Sequence, residues 1–162
     1  MNTKPNTKHV ISVLIANEPS AHERLSNTLR RRAPGVVETS IASGEEEGMA
    51  RVTVVLYGEL TEANFALTQI AKLVDVIEAK TLEADQYYGR QLALIRINAA
   101  GANQDEASDI LTQAGARLLR VHPFTLIAEL TTSPETIDAT IQALSALGEV
   151  VSLRTGLVAL RL

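Results

Sequence analysis

Two segments of helical period, each set between short apolar runs, occur in the first half of the 162-residue chain and again in the second, and few folds accept that order. The first round opens with Val10 to Ala16 (VISVLIA), an apolar, β-branched run too short for a comfortable helix. Asn17-Glu18-Pro19-Ser20 breaks it with turn formers and a proline suited to the first turn of a helix. Ala21, Leu25, Thr28 and Leu29 then recur at i, i+4, i+7 and i+8, one face of a helix. Pro34-Gly35 stops it, and Val36 to Ala42 and Ala50 to Tyr57 read as strands on either side of Ser43-Gly44-Glu45-Glu46-Glu47-Gly48, a solvated hairpin tip. Thr61 to Ala71 is helical and Leu73 to Leu82 returns to strand. The order recurs as strand Gln91 to Ala99, a helix near Gln104 to Ala114, strands Ala116 to His122 and Thr125 to Thr131, a helix Pro134 to Leu147 and strand Glu149 to Leu153. β-α-β-β-α-β twice over predicts an α+β protein of two tandem ferredoxin-like domains, each a four-stranded sheet with helices on one face. Residues 8–82 form the first, 83–90 a linker and 91–162 the second.

The absence of cysteine removes disulfides, thiolate metal sites, iron–sulfur clusters and a cysteine nucleophile together. Met1 to Lys8 is polar, so it reads as neither signal peptide nor membrane span, and no later apolar run approaches ~18 residues. A cytoplasmic protein is the expectation. A net charge of −4 gives no general pull toward nucleic acid or anionic lipid. The basic run Arg30-Arg31-Arg32 falls in the last turn of the first helix, where cations offset the dipole.

Residue chemistry excludes several users of this topology. An RNA-recognition domain needs exposed aromatic side chains on its central strands, and aromatic content here is 3%. Ser20 and His22 are two positions apart at a helix start and do not face each other, so they make no catalytic pair. His9, His22 and His122 fall on three elements without metal-ligand spacing: a strand start, an exposed first turn, and a turn before Pro123. No glycine-rich phosphate loop is present. No catalytic residue, metal site or enzyme activity is expected. The polar turn Asn17 to Ser20 remains, where unpaired amides and the helix dipole could receive a carboxylate, though a plain helix start reads the same way.

Four segments resemble a known family in order and separation: Asn17-Glu18-Pro19-Ser20-Ala21 with Arg24-Leu25; Lys72 to Val76; Leu92 to Arg96; and Arg154-Thr155-Gly156 with Ala159-Leu160. Over about residues 8 to 162 the chain resembles the regulatory (small) subunit of acetolactate synthase, also called acetohydroxyacid synthase. The resemblance implies an N-terminal ACT domain, a C-terminal ferredoxin-like domain and no cofactor in this chain. It implies a partner, the catalytic large subunit carrying thiamine diphosphate, magnesium and a flavin (FAD), which condenses two 2-ketoacids in branched-chain amino-acid synthesis. Small subunits raise the activity of that partner, and many make it sensitive to valine. The family's effector site lies at an ACT dimer interface, and carried over it comprises Asn17, Glu18, Pro19, Ser20 and Ala21 with Gly35 and Val36 of the facing copy. Ser20 stands where the family has glycine, His22 where it has an apolar residue, and Gly35 where it has a ligand-binding asparagine, so valine feedback is expected to be weakened or lost.

Both parities of the first strand are mostly apolar, as in a strand buried on both sides, and this predicts a homodimer through Val10 to Ala16 with the first helices close together. The alternative function is a free-standing ACT-type small-molecule sensor acting on another enzyme or regulator. The second half of the chain separates the two, since Leu92 to Arg96 and Arg154 to Gly156 resemble the small subunit rather than ACT repeats in general.

Overall fold

The computed structural model describes residues 7–44 and 46–162. Met1 to Asn6 of the polar leader, and Glu45 of the acidic tip, lie outside the described residues. Two compact units result: residues up to Tyr88 together with Gly156–Leu162, and Gly89–Thr155.

The first unit runs β1 (Thr7–Ala16), α1 (Pro19–Arg32), β2 (Val36–Ser43), β3 (Met49–Gly58), α2 (Leu60–Ile70) and β4 (Val76–Leu82). Its sheet is antiparallel in the order β2-β3-β1-β4, the ferredoxin-like arrangement. One face is covered by the helices. Ile11, Val13 and Ile15 of β1 and Val52, Val54 and Leu56 of β3 meet Ala21, Leu25 and Leu29 of α1 and Ala63, Ala66 and Ile70 of α2. Pro19 begins α1 and a capping box between Glu59 and Glu62 begins α2. β4 starts at Val76, not Leu73, because Leu73 N–H and Val76 N–H are held in turn hydrogen bonds.

The helix-free face explains why β1 and β3 are apolar on both sides. Val10, Val55 and Leu82 are covered by Leu157, Ala159 and Tyr87, all within the same unit. Leu157 and Ala159 flank the start of a further strand, β9 (Val158–Arg161), which the sequence reading did not anticipate. The remainder of that face sets half-buried Leu14 among polar Ser12, Arg51, Glu78 and Lys80. Because β1 is hydrogen-bonded along both edges, to β3 and to β4, it has no edge to offer a second copy, and the cover that Leu157, Ala159 and Tyr87 give Val10 accounts for part of its apolar helix-free side without a dimer.

The second unit contains most of β5 (Tyr87–Asn98), then α3 (Ala102–Gln113), β6 (Arg117–His122), β7 (Thr125–Thr132), α4 (Pro134–Ser145) and β8 (Glu149–Arg154). Four strands take the order β6-β7-β5-β8. Ala93, Ile95 and Ile97 alternate inward on β5 and pack with Leu126, Ala128 and Leu130 against Ala107, Leu111, Ile137 and Leu144 of the two helices. Ser133 caps α4, its hydroxyl accepting from Thr136 N–H. The chain is therefore α+β, with two tandem ferredoxin-like units, as its periodicity indicates. The unit boundaries differ from the 8–82, 83–90 and 91–162 division: β5 already begins inside the linker, and Gly156–Leu162 returns to the first unit. Among the described residues no helix is long and apolar enough to cross a membrane.

Candidate functional site

The turn between β1 and α1 is fixed by its neighbours before any ligand is considered. Ala16 N–H donates to Asp75 O and Asn17 N–H to Gly48 O, so the loop before β4 and the hairpin tip hold it from two sides. Glu18 occupies the N-cap in extended conformation without a side-chain cap bond, and Asn17 to Ser20 are exposed. The helix start offers fewer donors than its sequence suggests. Pro19 has no N–H, and the Ala21 and His22 amides already donate to Glu18 O, so among the first helical amides Ser20's is left for a ligand. Ala21 is fully buried and contributes packing alone.

Ser20 does not point a free hydroxyl at this site. Its Oγ accepts from Arg24 Nη2 at 3.2 Å, one helical turn on. The same guanidinium forms a bidentate pair with Asp75, Nε to Oδ2 at 2.6 Å and Nη2 to Oδ1 at 2.7 Å. The Arg24 hydrogen bonds hold the Asp75 carboxyl below its ordinary range and raise the guanidinium correspondingly. A carboxyl lowered in the folded state stabilises above about pH 4, its unfolded range, and that contribution is lost as pH falls through the folded value. Asp75→Asn is accordingly expected to lower the urea midpoint near neutrality, with the gap to the unmodified chain closing below about pH 4. A gap that stays constant with pH would assign the effect to packing.

Gly35, at the other end of α1, is fixed by backbone approach. Gly35 O accepts from Tyr57 N–H at 2.9 Å, and a Cβ at this position would overlap the Tyr57 carbonyl oxygen. Within one chain Asn17 to Ala21 and Gly35-Val36 lie at opposite ends of a 14-residue helix, about 20 Å long. The structure does not bring the two halves of the expected site together in a single copy.

Between α1 and β2 runs a groove of about 430 Å³, with Leu25, Leu29, Val36, Ile41 and Val52 among its lining residues and His22, Ser26, Arg30 and Thr39 supplying polar groups. His22 is half-buried, not exposed as its first-turn position suggests, and its Nε2 is buried without a hydrogen-bond partner among the described residues. His9 instead contacts Gly58 O through Nε2 at 3.1 Å. β2 is an edge strand, and Val37 and Ile41 on it are 63% and 55% exposed. Among the described residues no three His, Cys, Asp or Glu side chains gather as a metal site.

The Arg154-Thr155-Gly156 segment has a structural role at each residue. Arg154 pairs with Asp138 of α4 at 2.6 Å. Thr155 grips Leu92 twice, its N–H donating to Leu92 O at 2.9 Å and its Oγ1 accepting from Leu92 N–H at 3.0 Å. Gly156 lies so close to Ser40 that a Cβ there would stand 2.8 Å from Ser40 Cβ. Sequence reasoning noted this segment and the Arg24 and Asp75 positions as family marks but missed what they contact. The signal available was the short apolar run Leu157 to Leu160 after a Thr-Gly turn, which has the length of a strand.

Residues 90–162 match the family model described as the small subunit of acetolactate synthase. Similarity to individual proteins extends over nearly the whole chain. A probable acetolactate synthase small subunit of Methanothermobacter thermautotrophicus is 29% identical over 156 residues, covering 94% of this chain and 91% of that protein. The acetolactate synthase small subunit of Mycolicibacterium smegmatis is 27% identical over 140 residues, covering 86% and 82%. Over nearly its whole length the chain is thus similar to acetolactate synthase small subunits, and its second half carries that family's model. The fold agrees: the crystal structure of a Thermotoga maritima acetolactate synthase small subunit superposes with a TM-score of 0.83 at 22% identity, over 96% of this chain and 98% of that one. Ser20 is tied back to Arg24, and Gly35 leaves no side chain at the start of β2.

Proposed function

We propose that this chain binds the catalytic subunit of an acetolactate synthase and raises its activity while performing none of the chemistry. The end-to-end similarity to small subunits carries this reading, since it spans both units rather than the ACT-like half alone. Thiamine diphosphate, magnesium and FAD would reside in the catalytic partner. The decisive assay measures acetolactate formation by the cognate catalytic subunit with and without this chain at saturating cofactors. Co-elution with a raised rate is expected; an unchanged rate, unchanged cofactor affinity and no co-elution would refute the reading.

Two copies would pair through the open edge of β2 and the adjoining α1–β2 groove, whose apolar floor and exposed Val37 and Ile41 suit another strand and helix. Such pairing would set Asn17, Glu18, Pro19, Ser20 and Ala21 of one copy against Gly35 and Val36 of the other. At that junction one helix amide remains and no asparagine side chain faces it, so valine would be held weakly. Each lost hydrogen bond to a charged ligand group costs roughly 1.5–3 kcal/mol, on the order of ten- to a hundred-fold in affinity. Calorimetric titration of valine into the chain should then show no saturable binding in the micromolar range, and tight binding would contradict it.

A further inference from the structure

We infer that the helix-free face of the first unit carries a binding site for a small oxyanion, a carboxylate or a phosphate, in the hollow between β9 and the sheet. The hollow holds about 390 Å³, and Ser12, Arg51, Glu78, Ala159 and Arg161 are among its lining residues. All of them belong to the first unit. Strand register explains the gathering. Ser12 of β1 stands opposite Thr53 and Lys80, and its neighbour on the same face, Leu14, stands opposite Arg51 and Glu78. On β9, Ala159 is buried against this face, and Arg161, two residues on, points to the same side. The helices α1 and α2 cover the other face, so this hollow is distinct from the turn after β1.

Two groups in the hollow have hydrogen-bonding capacity left over. Ser12 is 5% exposed, and its Oγ accepts from Arg51 Nη1 at 3.4 Å. That bond uses an oxygen lone pair and leaves the hydroxyl proton without an acceptor among the described residues. A buried donor is costly to leave unpaired, so an acceptor arriving over Ser12 is favoured. Arg161 likewise donates to no acceptor among the described residues, although it stands near enough to Glu78 to act on it. The hydrogen bond from Lys80, together with the charges of Lys80, Arg51 and Arg161, holds the Glu78 carboxyl below its ordinary range. Three cations thus surround one carboxylate, and the surplus charge is positive. Lys80 at 2.8 Å and Arg51 at 3.7 Å already face the two Glu78 oxygens, which leaves the Arg161 fork for an incoming anion. A carboxylate or phosphate is the partner whose oxygens match that fork and also accept from a hydroxyl.

Backbone amide NMR shifts of the full chain test this without any partner or activity. The chain is titrated near neutral pH with sodium phosphate and separately with sodium acetate, ionic strength being held constant with sodium chloride. Saturable shifts centred on Ser12, Arg51 and Ala159 to Arg161 are expected for at least one probe, and the tighter of the two tells which oxyanion the hollow prefers. Arg161→Gln and Ser12→Ala should each weaken that binding about ten-fold, since each removes one hydrogen bond to a charged group. Neither substitution touches the apolar core under the helices, and unchanged shifts elsewhere in the spectrum check that the fold is kept. Shifts that rise without saturation for both probes, shifts centred instead on Ser20 and Ala21, or equal affinity in the unmodified and Arg161→Gln chains would overturn the site. Should Ser12→Ala disturb the sheet, Arg161→Gln alone decides.

Discussion

Val13→Asp is expected to unfold the first unit rather than divide a dimer. Val13 is fully buried on the helix side of β1, opposite Val52 of β3 and Ala79 of β4, among Ile11, Ile15 and Val54. A carboxylate placed there loses its hydration and finds an apolar surround, so it must either remain charged without a partner or take up a proton. Either route costs about 4 kcal/mol or more, a large fraction of the stability of a domain this size. With a denaturant slope of about 2 kcal/mol per molar, the urea midpoint of the first unit should fall by roughly 2 M or the unit should not fold at all. Ile41→Asp provides the contrast. Ile41 is 55% exposed on edge strand β2, so its substitution should leave the urea midpoint within about 0.5 kcal/mol equivalents and act on self-association instead. Light scattering and urea unfolding of both variants check this. A Val13→Asp chain that folds normally as a monomer would restore β1 as the interface, and an Ile41→Asp chain whose association is unchanged would remove β2 from it.

That contrast marks where the sequence could be read and where it could not. Apart from β9, element order and type followed from periodicity, because i, i+4, i+7 spacing in Ala21 to Leu29 and alternation in Val36 to Ala42 each match one geometry. The sidedness of β1 did not follow. Val10 and Val13 are equally apolar in sequence, yet Val13 faces helices while Val10 lies under Leu157, a residue 147 positions later that no local window contains. An apolar run tells that a strand is covered on both faces without saying by what. The same holds for the candidate site. Asn17 to Ser20 were legible as an exposed polar turn at a helix start, since the break in apolar pattern and Pro19 require one. That Ser20 is engaged by Arg24, and Arg24 by Asp75, depends on a pairing 51 residues apart that only the folded sheet creates.

Gly35→Asn is expected to destabilise the first unit by about 2–4 kcal/mol and to leave valine binding weak, although asparagine is the residue the family resemblance assigns to this place. The reason is the backbone around position 35. Any Cβ there overlaps the Tyr57 carbonyl oxygen, and Tyr57 is tied back to Gly35 by its own N–H donating to Gly35 O at 2.9 Å. A clash with a flexible side-chain end could be relieved by a rotamer change. This one requires the backbone after α1 to lift from the end of β3, which breaks that hydrogen bond and disturbs the register shift between Val36 and Glu38 on β2. Pro34 immediately before adds stiffness, because its φ is fixed and it cannot absorb the movement. Ser20→Gly, by contrast, removes a hydroxyl whose hydrogen bond is exposed, and only a small loss of helix propensity, about 0.5 kcal/mol, should follow. The pair of substitutions therefore separates by stability, with Gly35→Asn dominating urea unfolding and Ser20→Gly nearly silent. Calorimetric titration of valine into the double variant should still show no tight site. If the double variant binds valine tightly and keeps its stability, then the loop after α1 accommodates a side chain at position 35 by moving away from Tyr57, and the close approach seen between them is not what excludes asparagine.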